Sequence, residues 1–213
     1  TTISMTVSSS SRVWETSVTG TSAPDMETYT IELYGLKRTL PLVHIGRQTK
    51  LANFTLLGDI ELVDALADAF TTKFKAYDFD FLVAVEVKVV PLVHGIAKRQ
   101  GHKRFVVCRK RVKPYMVHPT IMRPPRNFPK HVLPLVINGN DSEFLRGKRV
   151  IVMDDVVSTG MTMRLMHALM EKAGAVVVAS AAVLRQGEQF TQLPNFLSVG
   201  ELPVVRVEAH LRT

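Results

Sequence analysis

The chain has 213 residues, 46% of them hydrophobic, which is enough for one full α/β core with a small appendage. It carries 27 Lys and Arg against 19 Asp and Glu, a formal net charge of +8, so a polyanionic ligand is expected. No apolar run approaches the roughly 18 residues of a membrane span and no basic-then-apolar leader opens the sequence, so neither membrane insertion nor secretion is expected. The single cysteine, Cys108, excludes an intramolecular disulfide, fits a reducing cytoplasm, and reads as a small buried hydrophobe in the run Phe105-Val106-Val107-Cys108.

Residues 1–12 are almost all Thr, Ser and other small types and read as a flexible tail. Trp14 is placed in an N-terminal arm that packs against the body. Residues 29–33 and 40–45 are strand-like runs around Gly35-Leu36-Lys37-Arg38, a hairpin pattern. Asp59 suits the N-cap of a helix over residues 60–75, with Leu62, Val63, Leu66, Phe70 and Phe74 as its apolar stripe. Residues 81–85 form a buried strand, and residues 91–100 the helix after it, ended by Gly101. Residues 105–108 are the next strand. Residues 114–134 are proline-rich and without hydrophobic period, which predicts a flexible flap. A strand resumes over 131–137, and Asn138-Gly139-Asn140-Asp141 turns the chain. Residues 149–153 are a strand, 161–172 a helix stopped at Gly174, and 176–184 a continuous apolar strand. Strands apolar on both faces that alternate with helices predict one α/β domain built on an open parallel sheet with helices on both faces.

The most informative stretch is residues 150–162. Val150-Ile151-Val152-Met153 reads as a short buried strand, capped by the adjacent carboxylates Asp154 and Asp155. Val156, Val157 and the small-residue turn Ser158-Thr159-Gly160-Met161-Thr162 lead into an amphipathic helix. The turn's N–H groups and the helix dipole favour a phosphate, and the hydroxyls of Ser158, Thr159 and Thr162 add donors. The carboxylates can accept hydrogen bonds from vicinal sugar hydroxyls. A strand, an acidic pair, a hydroxyl-rich turn and a helix N-terminus together suit a phosphorylated sugar. At the end of strand 81–85, Lys88 sits at a helix start, where a cation opposes the dipole unless an anion binds. Residues 98–113 hold eight Lys and Arg and no acid. That block lacks interleaved aromatics for base stacking, so nucleic acid is not the expected partner. Lys98, Arg99, Lys103 and Arg104 read as solvated surface. The histidines show no metal-ligand spacing; His118 and His131 lie in or near the flap.

Residues 150–162 resemble the phosphoribosyl-pyrophosphate (PRPP) signature of the type I phosphoribosyltransferases: an apolar strand, two acids, two variable residues, then Ser-Thr-Gly-x-Thr. The arrangement of Arg109-Lys110 after a strand, followed by Lys113-Pro114-Tyr115, is similar to the adenine phosphoribosyltransferase-like branch. The resemblance implies transfer of the 5-phosphoribosyl group from PRPP to a purine, adenine first, with release of pyrophosphate. It implies catalytic roles for Asp154, Asp155 and Lys88, and PRPP contacts from residues 156–162. Val87-Lys88-Val89 would be the pyrophosphate loop, and Arg109, Lys110 and Lys113 further diphosphate contacts. Tyr115 would belong to the flap, and Val183, Leu184 and Arg185 would form the base wall. It further implies Mg²⁺, held indirectly through Asp154 and Asp155, and a homodimer. The pyrophosphate loop lacks the Ala-Arg-Gly or Ala-Ser-Gly of well-known members. With the positive charge, this leaves a rival open: a non-catalytic regulator that senses PRPP.

Overall fold

The computed structural model describes residues 27–45, 48–187 and 193–206. The expected tail and Trp14 lie outside these residues. Six strands share one sheet in which every pairing is parallel. Its path is β10 (Phe196–Leu197), β9 (Val176–Gln186), β8 (Arg149–Val157), β4 (Phe81–Val85) and β5 (Val106–Cys108), with β11 (Gly200–Leu202) also paired to β9. From β4 the chain passes through helix α2 (Val90–Arg99) to β5 on one side. From β8 it passes through helix α4 (Met161–Lys172) to β9 on the other. Parallel crossovers are right-handed, so steps in opposite directions put α2 and α4 on opposite faces. The α/β class with helices on both faces stands as expected.

Helix α1 (Ile60–Phe74) begins where expected. Asp59 accepts from the Leu62 N–H at 3.1 Å, and Leu62, Leu66, Phe70 and Phe74 are fully buried. It packs against α2 at a crossing of small residues. A Cβ on Gly95 would lie 3.1 Å from that of Ala67, so the glycine sets how closely the helices approach.

A second sheet runs β1 (Thr28–Leu33), β2 (Leu36–His44), β3 (Thr49–Ala52), β12 (Val204–Arg206), antiparallel throughout. The hairpin turn is only Tyr34-Gly35, both at positive φ, so Leu36, Lys37 and Arg38 belong to β2 rather than to the turn. Arg38 reaches from β2 to Asp59 at 2.6 and 3.0 Å and to Glu61 at 2.8 Å, tying this sheet to the start of α1.

Three sequence expectations are corrected. Asn138-Gly139-Asn140-Asp141 opens a helix, α3 (Gly139–Leu145), with Asn138 as its N-cap. The strand expected over 131–137 is confined to β7 (Leu135–Ile137). It pairs with β6 (Thr120–Met122), so the proline-rich segment carries a strand of its own. β8 does not stop at Met153. Its ladder with β9 continues through Asp154↔Ala182 to Val157↔Arg185, because backbone pairing is indifferent to the charge on the side chain. Among the described residues no helix is long and apolar enough to cross a membrane.

His167 on α4 shares a 2.6 Å hydrogen bond with Ser180 of β9, and burial lowers its pKa from 6.5. Burial likewise lowers that of His102, against the opposing charge of Asp80. For both, the unfolded chain binds more protons just below pH 6.5, so folding stability falls as acid titrates the unfolded imidazoles. The urea midpoint should therefore drop between about pH 8 and about pH 5.5, and His167→Gln should flatten that dependence. An unchanged slope in the variant would place His167 outside the effect.

Candidate active site

The connections from β4 and β8 leave in opposite directions, so a crevice opens beyond their C-terminal ends, the usual ligand position in open α/β sheets. Ala84 of β4 is level with Met153 of β8. The residues just past this level are Glu86 to Val89 on one side and the acidic pair on the other.

Asp155 donates its backbone N–H to the Asp154 carboxylate at 2.8 Å. Burial first, and the neighbouring Asp155 second, hold the Asp154 carboxyl well above the ordinary carboxylate range. The nearest compensation is Lys88, whose Nζ lies 3.6 Å from Asp155 Oδ2 and donates to the Phe54 carbonyl at 3.0 Å. Beyond Val157 the chain turns through Ser158, Thr159 and Gly160. Gly160 has φ 77°, a left-handed backbone that explains the glycine. It is also the N-cap of α4, which has no side-chain cap, and only Met161 N–H meets a hydroxyl, that of Thr159 at 3.4 Å. An uncapped helix start beneath exposed Ser158 and half-buried Thr159 and Thr162 has the chemistry to hold an anion.

The cations stand on the other side of the crevice. Arg109 is gripped at both ends. Its backbone exchanges 2.8 Å hydrogen bonds with Val136, and its guanidinium reaches Glu86 at 3.2 Å and the Tyr115 hydroxyl at 3.4 Å. Lys110 donates its backbone N–H to Glu86 at 2.7 Å and leaves its ammonium exposed. Lys113 is half-buried and Tyr115 largely exposed. Burial pushes the Glu86 carboxyl up, but the Lys110 N–H, Arg109 and Lys113 outweigh it, and its pKa is lowered. Glu86 thus joins the loop after β4 to the loop after β5. Sequence reasoning assigned it no role in the site; its signal was a lone acid facing a block of cations. In the loop expected to meet pyrophosphate, Val87 is exposed, whereas the Val89 side chain is wholly in the core.

The expected base wall is not an open surface. Val183 and Leu184 are fully buried in β9, held between β8 and the β10–β11 edge. Arg185 is half-buried and paired with Glu201. The open space lies elsewhere, in a cleft of about 530 Å³ lined by β2 and the start of α1, including Arg38, Asn53, Phe54, Leu57 and Asp59. It adjoins Lys88 through the Phe54 carbonyl. Residues 114–134, the expected flap, touch the body at Val117. Val117 and Gly139 meet backbone to backbone at 3.0 Å, and a Cβ on Gly139 would fall 2.6 Å from the Val117 carbonyl.

Glu86→Ala should remove the acceptor of the Lys110 amide and release the Arg109 guanidinium, loosening the 109–113 loop by about 0.5–1.5 kcal/mol. Amide exchange at Lys110 should speed up while β4 and β8 keep their protection. Unaltered exchange there would show that Glu86 does not hold the loop.

Comparison with known proteins points to one family. Residues 59–192 match the phosphoribosyl transferase domain. The chain is 31% identical over 133 residues to an adenine phosphoribosyltransferase of Thermosipho africanus, covering 61% of this chain and 72% of that one. It is 23% identical over 150 residues to an orotate phosphoribosyltransferase of Archaeoglobus fulgidus, covering 70% and 71%. It is 27% identical over 135 residues to a hypoxanthine/guanine phosphoribosyltransferase of Methanohalophilus mahii, covering 63% and 66%. In fold it is similar to the adenine phosphoribosyltransferase of Thermoanaerobacter pseudethanolicus, with TM-score 0.59, 19% identity, and 76% and 95% of the two chains covered. The chain therefore belongs to the type I phosphoribosyltransferase family, in its adenine phosphoribosyltransferase-like branch.

Proposed function

We propose that this chain transfers the 5-phosphoribosyl group of PRPP to a purine nitrogen, adenine before others, and releases pyrophosphate. One observation carries the reading. The acidic pair and the uncapped, hydroxyl-rich start of α4 face Lys88 and the Glu86–Arg109 loop across a single crevice. Ribosyl transfer passes through an oxocarbenium-like state, which asks the protein to orient, to stabilise a leaving anion and to exclude water, without a protein nucleophile. Asp154 and Asp155 orient the ribose by accepting from its hydroxyls. Residues 156–162 fix the 5-phosphate. Lys88, Arg109 and Lys110 meet the diphosphate, and Tyr115 with residues 114–134 shields the reaction. The cleft beside Phe54, rather than the buried Val183 and Leu184, offers the base room.

The donor set fits Mg²⁺. Among the described residues no three His, Cys, Asp or Glu converge, which leaves two carboxylates at the strand end. Magnesium is commonly held by one or two carboxylates with the rest of its shell from substrate oxygens and water. Asp154 and Asp155 would hold it through the ribose, and it would supply neutralising charge to the diphosphate.

Asp154→Asn with Asp155→Asn should weaken PRPP binding by about 2 kcal/mol or more in calorimetry. Removing two repelling carboxylates should not lower the unfolding temperature, because ionising Asp154 costs stability in the free protein. Wild-type affinity in that variant would reject the ribose assignment.

Enzyme and regulator are separated by a pyrophosphate-release assay with PRPP, Mg²⁺ and a panel of bases. The wild type should turn over a purine. Lys88→Ala should lower kcat more than PRPP affinity, since the charge it meets grows in the transition state. Tight PRPP binding with no base consumed would favour the PRPP-sensing regulator.

A further inference from the structure

We infer that the C-terminal end of α2 carries a second ligand site, one that takes a phosphorylated nucleotide. A cleft of about 500 Å³ lies there, lined wholly by residues 94–105, among them His94, Lys98, His102, Lys103, Arg104 and Phe105. Helix α2 starts at the C-terminal end of β4 and returns to the start of β5. This cleft is therefore at the sheet edge opposite the acidic pair, away from the site described above.

Its lining is basic, with the carboxylates of Asp141 and Asp80 set behind Arg104 and His102. No Asp or Glu lines it. Arg99, next in sequence to Lys98, is committed to Asp64 at 2.7 Å and Asp68 at 2.6 Å. Arg104 pairs with Asp141 and lies over the Phe144 ring at 4.2 Å. Lys98 and Lys103, by contrast, are exposed and have no ion-pair partner among the described residues. Lys98 also complements the last-turn carbonyls of α2, but Lys103 lies past the helix and has no such role.

The cleft also has ring walls. His94 meets Phe105 edge-on, centroids 6.3 Å apart, and His102 packs on Phe79 at 5.5 Å and Phe81 at 6.1 Å. Imidazole and phenyl rings beside two ammonium groups without an ion-pair partner among the described residues suit a base and its phosphate.

The test is a titration of the isotope-labelled full chain with 5′-AMP, followed by amide shifts. AMP should move residues 94–105 with a midpoint separate from that of residues 156–162, so failure of either site is read independently. Lys98→Glu with Lys103→Glu should weaken the first response about tenfold or more and spare the second. Shifts at 94–105 that persist in this variant, or none in the wild type at saturation of 156–162, would overturn the proposal. Adenosine should move residues 94–105 far less than AMP; equal effects would remove the phosphate from the argument. A 5′-phosphorylated oligoribonucleotide that perturbs these residues where AMP does not would replace the nucleotide with single-stranded nucleic acid.

Discussion

Two carboxylates at the end of a buried strand are the constraint around which this site is arranged. Asp154 and Asp155 follow four apolar residues with no exposure at all, so their charge sits where the sheet's interior meets the crevice. Solvent screens it poorly there, and burial with mutual repulsion raises the Asp154 pKa. The folded chain accepts this cost because β8 is held in register by β4 and β9 on either side. The strain of like charge is thus stored at the point where a cationic or hydroxyl-rich ligand would relieve it.

The surrounding loops answer that constraint with two paired cations, Lys88 and Arg109. Lys88 is shared between Asp155 and the Phe54 carbonyl, which also links the crevice to the segment before α1. Arg109 is balanced by Glu86, and Glu86 is balanced by the Lys110 amide. These pairs are partly exposed, so each adds little to global stability. Their effect is positional: the loops after β4 and β5 keep a definite shape without an anion, which lowers the ordering cost of binding one.

The uncapped helix start and the cation loops come from different faces of the same sheet. α4 follows β8 on one face and α2 follows β4 on the other, so only the switch between them brings the two sets together. The same topology sends the far end of α2 to the opposite edge. The eight-cation block spanning residues 98–113 is thereby divided. Arg109, Lys110 and Lys113 reach the crevice, while Lys98, Lys103 and Arg104 gather around a separate cleft.

Features governed by near neighbours were legible in the sequence. The Asp59 cap, the apolar stripe of α1, the strand of Val150 to Met153, the turn through Gly160 and the span of α4 all depend on contacts within a few residues. The family resemblance rested on the same local run. What escaped depends on partners distant in the chain. β12 completes a sheet with β3, and Arg38 finds Asp59 across a layer boundary. Glu86 acquires its role only when β5 places Arg109 beside it. Val183 and Leu184 look equally apolar as a ligand wall or as core; the strands on either side of β9 decide for core. Hydrophobic period and caps report what a segment prefers, whereas burial and charge pairing are properties of the neighbours that tertiary folding supplies.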